Sequence, residues 1–352
     1  GGGGSRATRC AGARVPGTRV VQQYGGPSGA ARGRFREVAE DVVRTRGHAD
    51  VGIVVSAMGK ETDELLRLAR EVAKKPSGRE MDMLITAGER KATALVTMAL
   101  EEMGCPAASF TGSQAGFLTD TEHQNAKILE VKPDRIRAAL EQGKVAVVGG
   151  AQGMSTEREI TFLGRGGSDT TAVALAAALG ADSCELYTDV SGVFTADPRV
   201  VQSARRMNRL SFDEMLEMTA TGCPKPVMRS VEFARTHGVR LHVRSAFTWE
   251  PGTWVSEEDP TMEQAILTAV THDLSEAKVT VNAVPDSPGI AARLFRALAV
   301  QSVTVDFFVQ DVSNDGTTDI SFTTPLEQVY AAAAVTNALA NELGAGAVAA
   351  DA

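Results

Sequence analysis

The sequence predicts an α/β protein in two parts: a three-layer domain with a mainly parallel sheet, and a smaller α+β module behind it. Two observations predict this. From Arg19 to Ser245 short apolar runs of β type alternate with helical stretches, the order that gives parallel strands covered on both faces. Beyond the acidic stretch Glu257-Glu258-Asp259-Pro260 the order changes to strand–helix–strand–strand–helix.

The elements follow in turn. Arg19–Tyr24 reads as a strand closing on a Gly-Gly turn, Ala31–Arg46 as a helix, and Val51–Ser56 as a buried-type strand ending at Ala57-Met58-Gly59. Helices are expected at Thr62–Lys74 and Arg79–Met103, then strands at Ala107–Phe110 and Ala126–Val131. Pro133, near a first helical position, opens a helix to Gln142, and Val145–Gly149 is again an apolar strand. Thr170–Leu179 is rich in strong helix formers and Gly180 is its natural stop. An apolar strand ends at Asp189, and strand Arg240–Ser245 with the turn Pro251-Gly252 closes the first domain. In the second part Ala277–Ala283 alternates as a strand, Ile290–Ala299 is helical after Pro288-Gly289, Ser302–Val309 and Thr318–Thr323 are strands, and Leu326–Leu343 is a last helix. Ala265–Val270 reads as an apolar strand needing a partner from elsewhere. The expected boundaries are a flexible tail at 1–17, which contains a GGGGS linker sequence, domains at 18–253 and 263–343, and a small-residue tail at 344–352.

Composition removes several function classes. Hydrophobic residues make up 43% and charged residues 23%, ordinary values for a globular chain. A net charge of −8 argues against a general nucleic-acid binder. No apolar run approaches the roughly 20 residues a membrane span needs, and the N-terminus lacks the hydrophobic core of a secretion signal, so a cytoplasmic protein is expected, with no nucleic-acid or membrane partner. Cys10, Cys105, Cys184 and Cys223 show no Cys-x-x-Cys spacing, and the histidines form no pair at helical spacing, so no protein-built metal site is expected.

The run Leu163-Gly164-Arg165-Gly166-Gly167-Ser168-Asp169 precedes the helix at Thr170 directly. A Gly-rich turn at a helix start aims backbone N–H groups and the positive end of the helix dipole at one point, which suits an anion. Arg165 adds a planar fork suited to a carboxylate or phosphate. Ser168 and Asp169 occupy positions where an N-cap is expected, so a capped turn beside a solvated arginine fits the same residues.

Further segments occur in a telling order: Tyr24-Gly25-Gly26, Val54-Val55-Ser56-Ala57-Met58-Gly59, Leu84-Ile85-Thr86-Ala87-Gly88-Glu89-Arg90, the Arg165 loop, and Tyr187-Thr188-Asp189-Val190-Ser191-Gly192-Val193-Phe194-Thr195-Ala196-Asp197-Pro198-Arg199. The set resembles aspartate kinase of the lysine-pathway type, in the amino acid kinase family, from Thr18 to Leu343. The resemblance implies an amino acid kinase domain followed by a ferredoxin-like ACT domain, the second ACT domain usual in that family being expected to be missing. Asp286-Ser287-Pro288-Gly289 matches the ACT strand-to-helix turn, where a small amino acid binds; an ordinary helix start fits it too.

The implied reaction is ATP-dependent phosphorylation of the aspartate side chain to 4-aspartyl phosphate, with ATP and Mg²⁺ as cofactors, in aspartate-family amino acid biosynthesis. By resemblance Arg165 holds a substrate carboxylate and Glu89 the amino group, with Ser56, Thr62 and Ser168 in the same pocket, and Asp169 organises Mg²⁺-ATP. Gly25, Gly26, Ser28, Thr188, Asp189, Asp197, Arg199 and Lys225 match the ATP-binding stretches. Read alone, Glu89 is a solvated helix position and Thr188-Asp189 a polar turn. The implied partners are a homodimer mate through the ACT domain and an ACT-bearing regulatory subunit. The chain departs from the family at Gln23 and Pro224, where lysines are usual, at Pro27, where Ser or Thr is usual, and at Ser191, where an acidic residue is common. Lys225 lies one place after the second lysine position. These departures leave open a catalytically impaired homologue acting as a ligand-binding regulatory or assembly partner, or a kinase with an altered acceptor.

Overall fold

The computed structural model describes residues 17–26, 33–248, 250–258, 267–312 and 316–351. The chain divides into two compact units, Gly1–Thr271 and His272–Ala352. In chain order the first contains β1 (Arg19–Gly26), α1 (Gly33–Arg46), β2 (Asp50–Met58), α2 (Glu61–Val72), α3 (Gly78–Glu102), β3 (Ala107–Phe110), β4 (Phe117–Thr119), β5 (Ile128–Val131), α4 (Asp134–Glu141), β6 (Val145–Gly149), β7 (Gln152–Ser155), β8 (Ile160–Phe162), α5 (Gly167–Leu179), β9 (Ser183–Thr188), β10 (Arg209–Ser211), α6 (Phe212–Ala220), α7 (Met228–His237), β11 (Leu241–Ser245) and β12 (Thr253–Ser256).

Eight strands form one sheet in the order β10-β12-β11-β9-β1-β2-β6-β3, parallel throughout except between β11 and β12. The side-chain period of two explains why its central strands read as unbroken apolar runs. Val51, Ile53 and Val55 of β2 and Val145 and Val147 of β6 pack with α1 and α3 residues such as Val42, Val96 and Leu100. Their neighbours Val54, Ala146 and Val148 face the opposite layer with Ile136 of α4, Leu175 of α5, Met215 of α6 and Val231 of α7. The result is a three-layer α/β domain. A four-stranded sheet in the order β5-β4-β7-β8 is attached to it.

A largely buried ion pair lies within the main sheet. Glu185 of β9 accepts from Gln22 Nε2 (2.7 Å), the Tyr187 hydroxyl (3.0 Å) and Arg244 Nη1 (3.2 Å). Burial opposes its ionisation, but these donors, the Arg244 charge and His242, whose Nδ1 lies 3.7 Å away, hold its carboxyl down at about 2.

The second unit runs β13 (Glu276–Pro285), α8 (Ile290–Val300), β14 (Phe308–Val312), β15 (Thr317–Pro325), α9 (Val329–Leu343) and β16 (Val348–Asp351). The strands form an antiparallel sheet in the order β14-β15-β13-β16, a ferredoxin-like βαββαβ arrangement. Its core joins Val279, Val281, Ile320 and Phe322 to Leu294, Leu298, Ala332 and Ala340.

Three local expectations change. Residues 348–351 of the expected tail form β16, which pairs with Lys278–Val281 and covers the β13 edge; a run of Ala and Gly carries no β signal, and tertiary pairing overrides it. The strand expected at Ser302–Val309 starts only at Phe308. Before it the backbone is engaged by side chains, with Thr304 N donating to Gln328 Oε1 and Thr304 O accepting from Thr324 Oγ1, both at 2.8 Å. Of the strand expected at Ala265–Val270, Ala265 and Ile266 lie outside the described residues and Leu267–Val270 is not a strand. Val270 N donates to Thr195 O at 2.8 Å instead.

Ending the chain at Leu343 would uncover the β13 edge. We expect the second unit's melting temperature to fall by at least about 4 °C, the shift roughly 1 kcal/mol causes in a domain of this size, with self-association through the bare edge. Calorimetry and light scattering of the shortened chain check this; unchanged values would show that β16 adds nothing.

Candidate active site

Parallel register places the C-terminal ends of four strands side by side. Tyr24 of β1 pairs with Val55 of β2 and Tyr187 of β9, and Val55 pairs with Gly149 of β6. Gly25, Ser56, Gly150 and Thr188 therefore emerge along one sheet edge, where ligands of open α/β sheets bind. The backbone approaches side chains closely there. A Cβ on Gly25 would lie 2.5 Å from Gln23 Nε2 and 2.7 Å from Ser56 Oγ, and one on Gly150 would lie 2.5 Å from Ser168 Oγ. Gln23 is buried and its amide donates weakly to Ser56 Oγ at 3.4 Å.

The start of α5 enters this edge. Gly166 is the N-cap residue, in the left-handed region at φ 71°, and the Val227 methyl carbons occupy the space a side chain would need, the nearer 2.4 Å from an ideal Cβ. Helical geometry begins at Gly167, so Ser168 and Asp169 lie inside the first turn and do not cap it. The expected cap position is displaced because only glycine meets both the backbone and the packing constraint. Ser168, Asp169 and Thr170 are all buried, and Thr170 Oγ1 has no hydrogen-bond partner. Asp169 Oδ2 accepts from Lys225 Nζ at 3.1 Å. The lysine thus reaches the helix start from its off-register position between Pro224 and Pro226.

Glu89 projects from α3 and is 3% exposed, with Oε2 lacking a partner. Burial pushes its carboxyl up to about 7; the Ala57 backbone N–H and Arg90 oppose the shift, and Glu61 adds to it. Glu61, at the first position of α2, is ion-paired with Lys91. Thr62 follows it and is half-buried. Arg165 is exposed and lines a cavity of about 360 Å³ with Asp63, Leu66, Arg67, Arg70 and Glu71.

On the other side, Thr188 Oγ1 accepts from Val190 N at 3.1 Å and closes the turn after β9, leaving Asp189 exposed. Asp197 binds Arg199 within its own loop, with Oδ2 accepting from Nη2 at 2.8 Å. Gly26 ends β1; Ser28 and Pro27 lie outside the described residues. Among the described residues no group of three or more His, Cys, Asp or Glu side chains is placed to hold a metal ion.

Sequence reading missed two supporting groups. Asp82 of α3, fully buried, accepts from His123 Nδ1 (2.7 Å), Gln124 N (3.0 Å) and Phe162 N (3.1 Å). Arg229 of α7 donates to Leu163 O (2.9 Å) and Ala126 O (2.8 Å). A lone carboxylate between Met81 and Met83 was the available signal for the first; the second has none, because its partners are backbone carbonyls far away in sequence.

The chain matches the profile of the amino acid kinase family over residues 18–245. It is 57% identical to the aspartokinase of Corynebacterium efficiens over 312 residues, covering 87% of this chain and 74% of that one. It is 54% identical to the aspartokinase of Mycolicibacterium smegmatis over 331 residues, covering 92% and 79%. Among solved structures it is similar to aspartate kinase from Synechocystis, at 39% identity and a TM-score of 0.63, covering 95% of this chain but only 58% of that one. Escherichia coli aspartokinase III in complex with lysine and aspartate shares the fold, at 23% identity and a TM-score of 0.75, covering 94% and 84%. With the β-strand edge, the α5 start and the family profile in agreement, this chain belongs to the amino acid kinase family and stands among its aspartokinases.

Proposed function

We infer that the chain transfers the γ-phosphoryl group of ATP to the side-chain carboxylate of aspartate. One observation carries the acceptor reading: Glu89 is a buried carboxylate with one oxygen that lacks a hydrogen-bond partner and, among the described residues, with no ion pair. Such a group needs an incoming cation, and a substrate ammonium supplies one. Arg165 takes a carboxylate of the same amino acid, with Ser56, Thr62 and Ser168 completing the pocket.

The side-chain carboxylate oxygen attacks the γ-phosphorus in line. The bond to the β–γ bridging oxygen breaks and ADP leaves with its electrons. The protein's contribution is positioning and charge neutralisation, since this transfer requires no covalent help. The close glycine backbones at 25 and 150 and the α5 start accept the phosphates. Thr188, Asp189, Asp197 and Arg199, with Gly25 and Gly26, are read as the nucleoside side. The buried carboxylate of Asp169 would hold a magnesium–nucleotide complex, whose ion would screen phosphate charge. Lys225, already on Asp169, supplies the cation that Gln23 and Pro224 do not, and this favours a working kinase over an impaired homologue.

The second unit is read as an ACT domain. A cavity of about 310 Å³ beside Asp286, Ser287, Gly289, Gln310 and Thr318 suits a small amino acid effector. The β14 edge of its sheet is unpaired among the described residues, with Phe307 and Phe308 more than half exposed, and pairing of two copies would cover it. No helix among the described residues is long and apolar enough to cross a membrane.

Incubation with ATP, Mg²⁺ and aspartate in the presence of hydroxylamine should yield aspartyl hydroxamate; aspartate binding without hydroxamate would contradict the kinase reading. Sedimentation at micromolar concentration should show a dimer, and a monomer would remove the ACT pairing. Glu89 must be ionised to take the ammonium, so with its carboxyl at about 7 the KM for aspartate should rise roughly tenfold from pH 8 to pH 6, and Glu89→Gln should raise KM and flatten the profile. The same shift affects stability. The proton is held more tightly in the folded state than in the unfolded one, where the carboxyl has its ordinary value of 4.5, so the ionised side chain destabilises the apo fold increasingly from about pH 4.5 to 7 and by a constant amount above.

A further inference from the structure

We propose that Arg229 is a positioning residue for acceptor binding: its fork across the Leu163 and Ala126 carbonyls sets the aim of Arg165. Arg165 is exposed on a turn that contains Gly164 at φ 85° and Gly166 at φ 71°. Two such glycines leave the backbone many alternatives, so packing around the turn must select one.

The turn is held from several sides. Asp82 accepts from Phe162 N at 3.1 Å, and Leu163 N donates to Ala151 O at 2.8 Å. Phe162 O accepts from Ala126 N at 3.0 Å, which ties the turn to the segment before β5. Arg229 then bridges the carbonyls of both segments, at 2.9 Å to Leu163 and 2.8 Å to Ala126. A planar guanidinium can join two carbonyls in fixed relation, whereas a lysine ammonium is a point donor without that geometry. Its half-burial costs hydration and lowers its pKa, with Asp120 and Glu232 opposing the shift. Leu163 is two residues from Arg165, so a shift of its carbonyl moves the guanidinium that faces the substrate.

The same short segment meets the turn at two further points. Val227 fills the space over Gly166, and Lys225 binds Asp169. Residues 225–229 therefore touch residues 163–169 at both ends and in the middle, with Arg229 at the acceptor end and Lys225 at the phosphate end. Loss of Arg229 should therefore weaken aspartate binding much more than it slows phosphoryl transfer.

This rests on Arg165 as the aspartate ligand, so the experiment includes Arg165→Ala. Aspartate dissociation constants by calorimetry, kcat and melting temperature are compared for the native chain, Arg229→Gln, Arg229→Lys, Arg165→Ala and the double variant Arg165→Ala/Arg229→Gln. Expected are an increase of about tenfold or more in the dissociation constant for Arg229→Gln with kcat within about threefold, a smaller increase for Arg229→Lys, and a double variant no weaker than Arg165→Ala alone, since Arg229 acts through Arg165. Should Arg229→Gln not fold, Arg229→Lys carries the comparison in the same double-variant form. Native aspartate affinity in the folded Arg229 variants, or losses that add fully to that of Arg165→Ala, would overturn the positioning role. Native affinity in Arg165→Ala would instead overturn the acceptor reading beneath it.

Discussion

The contact between Lys225 and Asp169, 3.1 Å long, is the interaction on which the site depends. Asp169 is 3% exposed in the first turn of α5. The helix dipole favours a carboxylate there, but a charge so far from water also needs a partner, and removal of that partner would leave it uncompensated. Lys225 meets the need while keeping 41% of its side chain exposed, so it stays accessible to a ligand at the same edge. One ammonium thus serves the folded state and, in the proposed reaction, the phosphate charge.

The fold places this pair through constraints remote from charge. Apolar alternation in β2 and β6 fixes two helical layers around the sheet, and parallel register brings four strand ends to one edge. The buried helix α5 can enter that edge because Gly166 turns left-handed under Val227, and Gly150 leaves room for Ser168. Acceptor and phosphate ends then differ in electrostatic character. In the proposed reading the unpartnered Glu89 oxygen takes a cationic group at the first, while the α5 start and Lys225 take anions at the second.

Much of this was legible in the sequence, and the omissions have physical causes. The alternating β and α runs, Gly180 as a stop and the Gly-rich turns carry local signals, because period and backbone freedom belong to the residues themselves. The positions of Ser168 and Asp169 within the first turn were not legible: the cap is decided by Val227, far along the chain, which excludes any side chain at 166. β16 was hidden because its pairing with β13 is tertiary. Lys225 could be placed only conditionally, since whether an ammonium one residue out of register reaches Asp169 depends on the path of the chain around Pro224 and Pro226. Arg229 binds backbone carbonyls, which leave no mark in residue type, and for Asp82 the local mark is only a lone carboxylate between Met81 and Met83.

The most direct test of the Lys225–Asp169 interaction is the turnover of Lys225→Ala, measured beside its aspartate affinity. If Lys225 neutralises charge as the phosphoryl group moves, kcat should fall about a hundredfold while the dissociation constant for aspartate stays within about twofold, the pattern of a contact made mainly in the transition state. Native turnover in the folded variant, or a loss confined to aspartate affinity, would contradict it.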